Sequence, residues 1–76
     1  MGPMAMQLKE LYRRIIRLHR HLPIELRIIG DRYAQAEFKA FVRANSTTHW
    51  PAFQSEWSRY LEILSNQLPD ERKAVK

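Results

Sequence analysis

The sequence predicts an all-α protein folded as a compact three-helix, up-down-up bundle. Helix-favouring residue types such as leucine, isoleucine, arginine, glutamate and alanine dominate the 76 residues, and only two glycines occur. Three segments repeat apolar residues at spacings of three and four, the period of one buried helix face. Because the connections between these segments are short, neighbouring helices must run antiparallel. A single domain over residues 1–76 is expected, since so short a chain can build only a small core.

The first predicted helix covers about residues 4–21 and has two different faces. The apolar face consists of Leu8, Leu11, Tyr12, Ile15, Leu18, His19 and Leu22. The opposite, basic face consists of Lys9, Arg13, Arg17, Arg20 and His21, with Arg14 at its edge. Pro23 indicates the end of this helix, because the residue before a proline avoids helical geometry. Proline is also accepted at a first helical position, so a turn that restarts through Glu25 and Leu26 is the alternative.

Gly30 and Asp31 predict a permissive turn followed by an N-cap, so the second helix is expected over about residues 31–44. The predicted inward stripe of this helix consists of Ala34, Phe38, Phe41 and Val42. The predicted outward stripe consists of Arg32, Lys39 and Arg43.

The third helix is expected over about residues 49–68, after a loop at residues 45–48. Ser46, Thr47 or Thr48 is predicted to cap it, and Pro51 is tolerated because it falls in the first turn. The predicted inward face consists of Phe53, Trp57, Tyr60, Leu61, Leu64 and Leu68. A short charged tail, residues 69–76, lacks an apolar face and is expected to fray.

The composition argues against several classes of function. The chain has no cysteine, so it holds neither a disulfide nor a thiolate-bound metal or cluster. His19 and His21 lie two residues apart on different sides of a helix, whereas helical metal ligands are three or four apart, and with His49 they predict no metal site. No catalytic grouping or phosphate-binding loop is present. We therefore expect a protein that is not an enzyme and needs no cofactor.

The positive charge is concentrated in the first half of the chain and indicates an acidic partner. Residues 1–32 carry seven Lys and Arg against three acids, and residues 33–76 carry six against five, for a net charge of +5. Nucleic acid is not expected as a partner, because no recognition helix with base-reading side chains is evident. Membrane insertion is not expected either, since no apolar run approaches ~20 residues.

Leu11-Tyr12-Arg13 is the tripeptide that names the LYR family, and it lies near the start of a basic amphipathic helix, as it does in that family. The likeness extends through residues 11–20, 22–23, 26–27, 30–33 and 37–39, and resumes at Phe53, Glu56-Trp57 and Tyr60. Over roughly residues 8–65 the chain therefore resembles the LYR-motif (Complex1_LYR-like) family, in the branch of succinate dehydrogenase assembly factor 3.

This resemblance implies a three-helix chaperone of the mitochondrial matrix. It implies that the protein binds the iron–sulfur subunit of succinate dehydrogenase (complex II) during maturation and holds no cluster itself. Several other LYR proteins dock acyl carrier protein, which is strongly acidic. An adaptor that docks acyl carrier protein through its basic first helix is therefore the alternative.

The candidate partner-binding residues combine the basic faces with the family motif. Arg13 points away from the predicted core, and a guanidinium can hold a carboxylate with two parallel hydrogen bonds. Leu11 and Tyr12 are candidates for either the core or the motif's function, and Phe38, which matches a family phenylalanine, for either the core or client contact. The full predicted set is Arg13, Arg14, Arg17, Arg20, Arg32, Lys39, Arg43 and Phe38.

Overall fold

The computed structural model describes residues 3–45 and 47–68 and confirms an all-α, three-helix bundle. Helix α1 covers Pro3–His19, α2 covers Ile24–Ala44, and α3 covers Trp50–Gln67. A 3₁₀ turn, Thr47–His49, leads into α3. Helix α1 packs against both other helices, and its contacts show the directions: Tyr12 meets Phe38 while His19 meets Asp31, so α1 and α2 are antiparallel.

Aromatic side chains fill the space between α2 and α3. The ring of Phe38 lies 5.2 Å from Tyr12, 4.9 Å from Phe53 and 5.3 Å from Trp57, so it contacts all three helices. Phe41 stacks on Phe53 at 4.2 Å. Each such pair contributes about 0.5–1.5 kcal/mol beyond the area it buries. The core as a whole consists of Leu11, Ile15, Ala34, Phe38, Trp50, Trp57 and Leu61.

Trp50 is a core residue that the apolar spacing of the third segment did not predict. It opens α3, only 8% of its surface is exposed, and its ring lies 6.0 Å from that of Phe41. Its indole N–H donates a hydrogen bond of 3.2 Å to Oε1 of Gln7, so its one polar group is satisfied. This contact fastens the start of α3 to the start of α1.

The prediction that Gly30 and Asp31 form a turn before the second helix is wrong. Helix α2 begins at Ile24, directly after Pro23, so the alternative restart after the proline is the one found. Gly30 lies inside α2, where a Cβ atom would stand 2.9 Å from Cε1 of His19, closer than real Cβ contacts allow. The glycine is therefore explained by close packing of α2 against the His19 ring and not by a turn.

Two helix ends also differ from the predictions. Helix α1 ends at His19, and the backbone N–H groups of residues 20–22 bond back to the carbonyls of residues 17–19 in a tight turn. At the start of α3, neither Thr47 nor Thr48 caps the helix, because both belong to the 3₁₀ turn. His49 holds the N-cap position, and its side chain does not cap the helix. The other predicted cap, Ser46, and the tail at residues 69–76 lie outside the described residues. Pro51 falls in the first turn of α3, as predicted.

The predicted inward faces agree with the structure except at one position. Leu11, Ile15 and His19 of α1 are buried, as are Ala34 and Phe38 of α2. Val42 was expected to face inward, yet 58% of its surface is exposed. This side chain lines an open groove between α1 and α2.

Candidate partner-binding surface

A groove of about 560 Å³ runs between the first half of α1 and the second half of α2. We call it the α1–α2 groove. Its apolar lining consists of Leu8, Tyr12, Phe38 and Val42. Its polar lining consists of Lys9, Arg13, Gln35, Lys39 and Arg43. An apolar floor between four cations is suited to a partner that offers both apolar side chains and negative charge.

The same short pattern on both helices produces this lining. Helix α1 places Leu8 and Tyr12 four residues apart, and each is followed directly by a cation. Helix α2 repeats the arrangement with Phe38 and Val42, followed by Lys39 and Arg43. Since residues four apart stand one above the other on a helix, each helix contributes an apolar row and a parallel row of positive charge.

The cations of the α1–α2 groove are available to a partner. Lys9, Arg13, Lys39 and Arg43 are all exposed. Within residues 3–45 and 47–68, no carboxylate lies within ion-pair distance of any of them. Arginine and lysine in this state can form charge-assisted hydrogen bonds with carboxylates of another molecule.

The three residues of the LYR motif have three different environments. Leu11 is 5% exposed and belongs to the core, whereas Arg13 is exposed. Tyr12 is half-buried between them, with its ring against Phe38. The motif therefore extends from the core to the surface within one helical turn, and Arg13 is its one exposed residue.

A second groove, of about 590 Å³, lies on the other side of α1 against α3. We call it the α1–α3 groove. Lys9 and Arg13 line both grooves, while Arg14 lines this one alone. Gln54 and Ser58 supply the α3 wall. Arg13 thus stands on a ridge between two surfaces on which a partner chain can lie.

The structure brings together some of the predicted site residues and separates others. Arg13, Lys39, Arg43 and Phe38 meet in the α1–α2 groove, although Phe38 is only 5% exposed and packs chiefly in the core. Three further predicted residues are exposed but line neither groove: Arg17, Arg20 and Arg32. Four residues of the α1–α2 groove were missing from the predicted partner-binding residues: Lys9, Gln35, Leu8 and Val42. For Lys9, the available signal was its place on the basic face of the first helix, four residues before Arg13.

A buried hydrogen-bonded network joins the three helices behind this surface. His19 of α1 has no exposed surface; its Nδ1 lies 2.8 Å from Oδ1 of Asp31 in α2, and its Nε2 lies 2.6 Å from the hydroxyl of Tyr60 in α3. Because an ionised carboxylate can only accept, Nδ1–H donates to Asp31, which leaves Nε2 to pair with the Tyr60 hydroxyl. The Nε of Arg27 approaches the other Asp31 oxygen at 3.9 Å.

We expect this network to make the fold sensitive to alkaline pH. Burial, followed by charge interactions with Asp31 and Tyr33, raises the pKa of Tyr60 above its ordinary value of 10.0. The folded state therefore holds this proton more tightly than the unfolded chain, so the stabilisation is complete below pH 10.0 and is lost as pH rises through the folded pKa. Denaturant titrations across this range should show a steeper alkaline loss of stability in the wild type than in Tyr60→Phe. Identical pH profiles of the two proteins would contradict this assignment.

No described helix is both long and apolar enough to cross a bilayer. Among residues 3–45 and 47–68, no three or more histidine, aspartate or glutamate side chains are grouped so that they could hold a metal ion.

Comparisons with known proteins point to one family. The Complex1_LYR-like family model matches residues 8–76. The curated relatives that this chain matches bear the name "Succinate dehydrogenase assembly factor 3, mitochondrial", and three of them illustrate the likeness. The protein from Gibberella zeae is 45% identical over 55 residues, which are 71% of this chain and 42% of the relative. The Drosophila melanogaster protein is 43% identical over 58 residues, 76% of this chain and 48% of the relative.

The third relative, from Nematostella vectensis, is 34% identical over 71 residues, or 93% of this chain and 61% of its own length. The chain thus spans about half the length of the curated relatives it matches. No solved structure gives a significant match.

Proposed function

Since the chain belongs to the Complex1_LYR-like family, we propose that it is a mitochondrial assembly factor that binds the iron–sulfur subunit of succinate dehydrogenase and promotes or protects its maturation. The proposed location is the mitochondrial matrix. The proposed role is that of a chaperone and not of an enzyme, because the relatives are named assembly factors and the candidate site is a surface suited to binding a partner.

The observation that carries this proposal is the α1–α2 groove, considered together with the names of the relatives. Those relatives are named as assembly factors of succinate dehydrogenase. The groove offers an apolar floor and four cations with no carboxylate partner among the described residues. This is the chemistry expected of a surface that holds an incompletely assembled subunit, whose future interface is still exposed.

In the proposed mechanism, charge and apolar contact have separate tasks. Arg13, Lys39 and Arg43 attract acidic surface on the iron–sulfur subunit and set its orientation, which mainly raises the association rate. Leu8 and Val42 then cover apolar side chains of the subunit and exclude water from them. Because the chain has no cysteine, it offers no thiolate to a cluster, and protection comes from covering the subunit.

An adaptor for acyl carrier protein is the second candidate, and the same groove favours it. Acyl carrier protein would place its acidic surface on the cations, and its acyl chain would lie along the apolar floor at Leu8, Tyr12 and Val42. The two functions differ in the partner captured, so one experiment separates them.

The proposal is tested by capturing partners from mitochondrial matrix extract with the tagged wild type, Arg13→Glu and Arg59→Glu. Arg59 is an exposed arginine of α3 that lines neither groove, so its reversal changes net charge equally without touching the site. We expect the wild type and Arg59→Glu to retain the iron–sulfur subunit and Arg13→Glu to lose it. Capture should also weaken with added salt.

Two results would change the conclusion. Retention of acyl carrier protein without the iron–sulfur subunit would establish the adaptor in its place. Retention of neither, with all three proteins folded by circular dichroism, would refute both candidates.

A further inference from the structure

The polar side chains that line the α1–α2 groove are mainly hydrogen-bond donors. Lysine and arginine donate hydrogen bonds and accept none, and the four cations of the groove are of these two types. Of the lining side chains, only Tyr12 and Gln35 carry an oxygen that can accept a hydrogen bond. A partner that binds here must therefore bring acceptors of its own and few donors that lack a partner.

An extended segment meets this condition poorly, whereas a helix meets it well. Each residue of an extended segment other than proline brings a backbone N–H group that needs an acceptor. A helix satisfies these groups within itself and presents its side chains. The α2 wall of the groove reaches from Gln35 to Arg43, about 12 Å along the helix axis, so a bound helix of about eight residues, or two turns, spans it.

The cations stand on both sides of the apolar floor. Lys9 and Arg13 belong to the α1 wall and are four residues apart. Lys39 and Arg43 belong to the α2 wall and have the same separation. Among residues 3–45 and 47–68, no acid lines this groove, whereas Glu10 lines the α1–α3 groove. Carboxylates four residues apart on a third helix recur at the same interval of about 6 Å, so two rows of them match two rows of cations.

We propose that the α1–α2 groove binds an amphipathic helix of the iron–sulfur subunit whose apolar stripe runs between two rows of carboxylates. This inference rests on the proposed function and adds the form of the bound segment. The apolar stripe packs on Leu8, Tyr12 and Val42, and each row of carboxylates pairs with the cations of one wall. The bound helix thus covers the part of the floor that α1 and α2 leave open.

A second copy of this chain does not supply such a helix. No two acids within α1, α2 or α3 are three or four residues apart, so none of these helices carries a row of carboxylates. An acyl chain alone would fit the apolar floor but would offer no carboxylate to the cations. The acids of the three helices are Glu10, Glu25, Asp31, Glu37, Glu56 and Glu62.

Labelled peptides test the form of the bound segment, with binding to the purified chain followed by fluorescence anisotropy. The first peptide is a helix with leucines at three-four spacing and glutamates on both sides of this stripe. The second has the same composition with its glutamates on the face opposite the leucines, and the third carries two prolines that break the helix. We expect the first peptide to bind at least about tenfold more tightly than either of the others, since only it matches the floor and both walls.

Charge reversals test whether the peptide lies between the two walls. Arg13→Glu and Arg43→Glu should each weaken binding of the first peptide several-fold, because each removes a cation from a different wall. Arg59→Glu is the matched control and should change this affinity less than about twofold, since Arg59 lines neither groove. The first peptide should also displace the iron–sulfur subunit from the chain.

Several results would overturn this inference. Equal affinities of the three peptides, or an equal loss with Arg59→Glu, would reduce the interaction to attraction by net charge. Tighter binding of the proline-containing peptide would assign the groove to an extended segment. A subunit that stays bound when the first peptide saturates the chain would place the subunit outside the groove. The peptide measurements need no subunit, so their failure would leave capture of the subunit intact, whereas failure of capture alone would refute the proposed function.

Discussion

Replacing His19 with alanine is expected to lower the free energy of unfolding by about 3 kcal/mol. The substitution leaves a cavity and removes the hydrogen-bond partner of both Asp31 and Tyr60. The imidazole is completely buried. It hydrogen-bonds Asp31 of α2 through one nitrogen and Tyr60 of α3 through the other, and so connects the three helices. A chain of this size is stabilised by about 4–11 kcal/mol in total, so the loss is a large fraction. Urea denaturation followed by circular dichroism measures it.

Gly30 provides the internal control for this prediction. In the wild type, Gly30→Ala should destabilise the fold by about 1–2 kcal/mol, because its Cβ would stand 2.9 Å from the His19 ring. In the His19→Ala background the ring is gone, so the same substitution should be neutral or should stabilise α2 by up to about 1 kcal/mol through helix propensity. An effect of the same sign and size in both backgrounds would show that Gly30 is not required by its contact with His19.

Arg13→Glu is expected to weaken binding of the purified iron–sulfur subunit at least tenfold, or by about 1.4 kcal/mol. Arg13 is the one exposed residue of the LYR motif, and it lines both grooves. Its reversal puts a carboxylate where the proposed partner presents acidic surface. Arg13→Lys should lose less affinity, because it keeps the charge and loses only the bidentate geometry. Isothermal titration calorimetry measures each dissociation constant.

The matched reversal Arg59→Glu should change this affinity less than about twofold, since it alters only the long-range field. Raising the salt concentration should reduce the difference in affinity between the wild type and Arg13→Glu. If both reversals weakened binding equally, the interaction would depend on net charge and not on the ridge at Arg13.

The apolar spacing of the sequence was sufficient to predict three helices and most of their inward faces, because burial of one stripe follows directly from a three-four repeat. It failed at Gly30 and Asp31, which carry local turn signals. Their true role is set by His19, a residue 11 or 12 positions away in the sequence. Local propensity cannot reveal a glycine that exists to admit a ring from another helix.

The candidate site was predicted in part for a similar reason. The basic rows of α1 and α2 were evident as outward stripes, and Arg13, Lys39 and Arg43 do meet in one groove. The sequence did not show that Lys9 shares this groove or that Arg17, Arg20 and Arg32 lie outside it. That division depends on how α1 and α2 are rotated against each other, and thus on contacts between the helices such as that of Tyr12 with Phe38.

The most direct test of the proposed function is a nuclear magnetic resonance titration of the labelled chain with purified iron–sulfur subunit of succinate dehydrogenase. Binding through the α1–α2 groove should shift the amide signals of residues 8–13 and 35–43 and leave those of the outer face of α3, around Arg59, in place. Shifts centred on Arg59, or none at concentrations that saturate the calorimetric binding, would contradict the assignment of the groove as the client site.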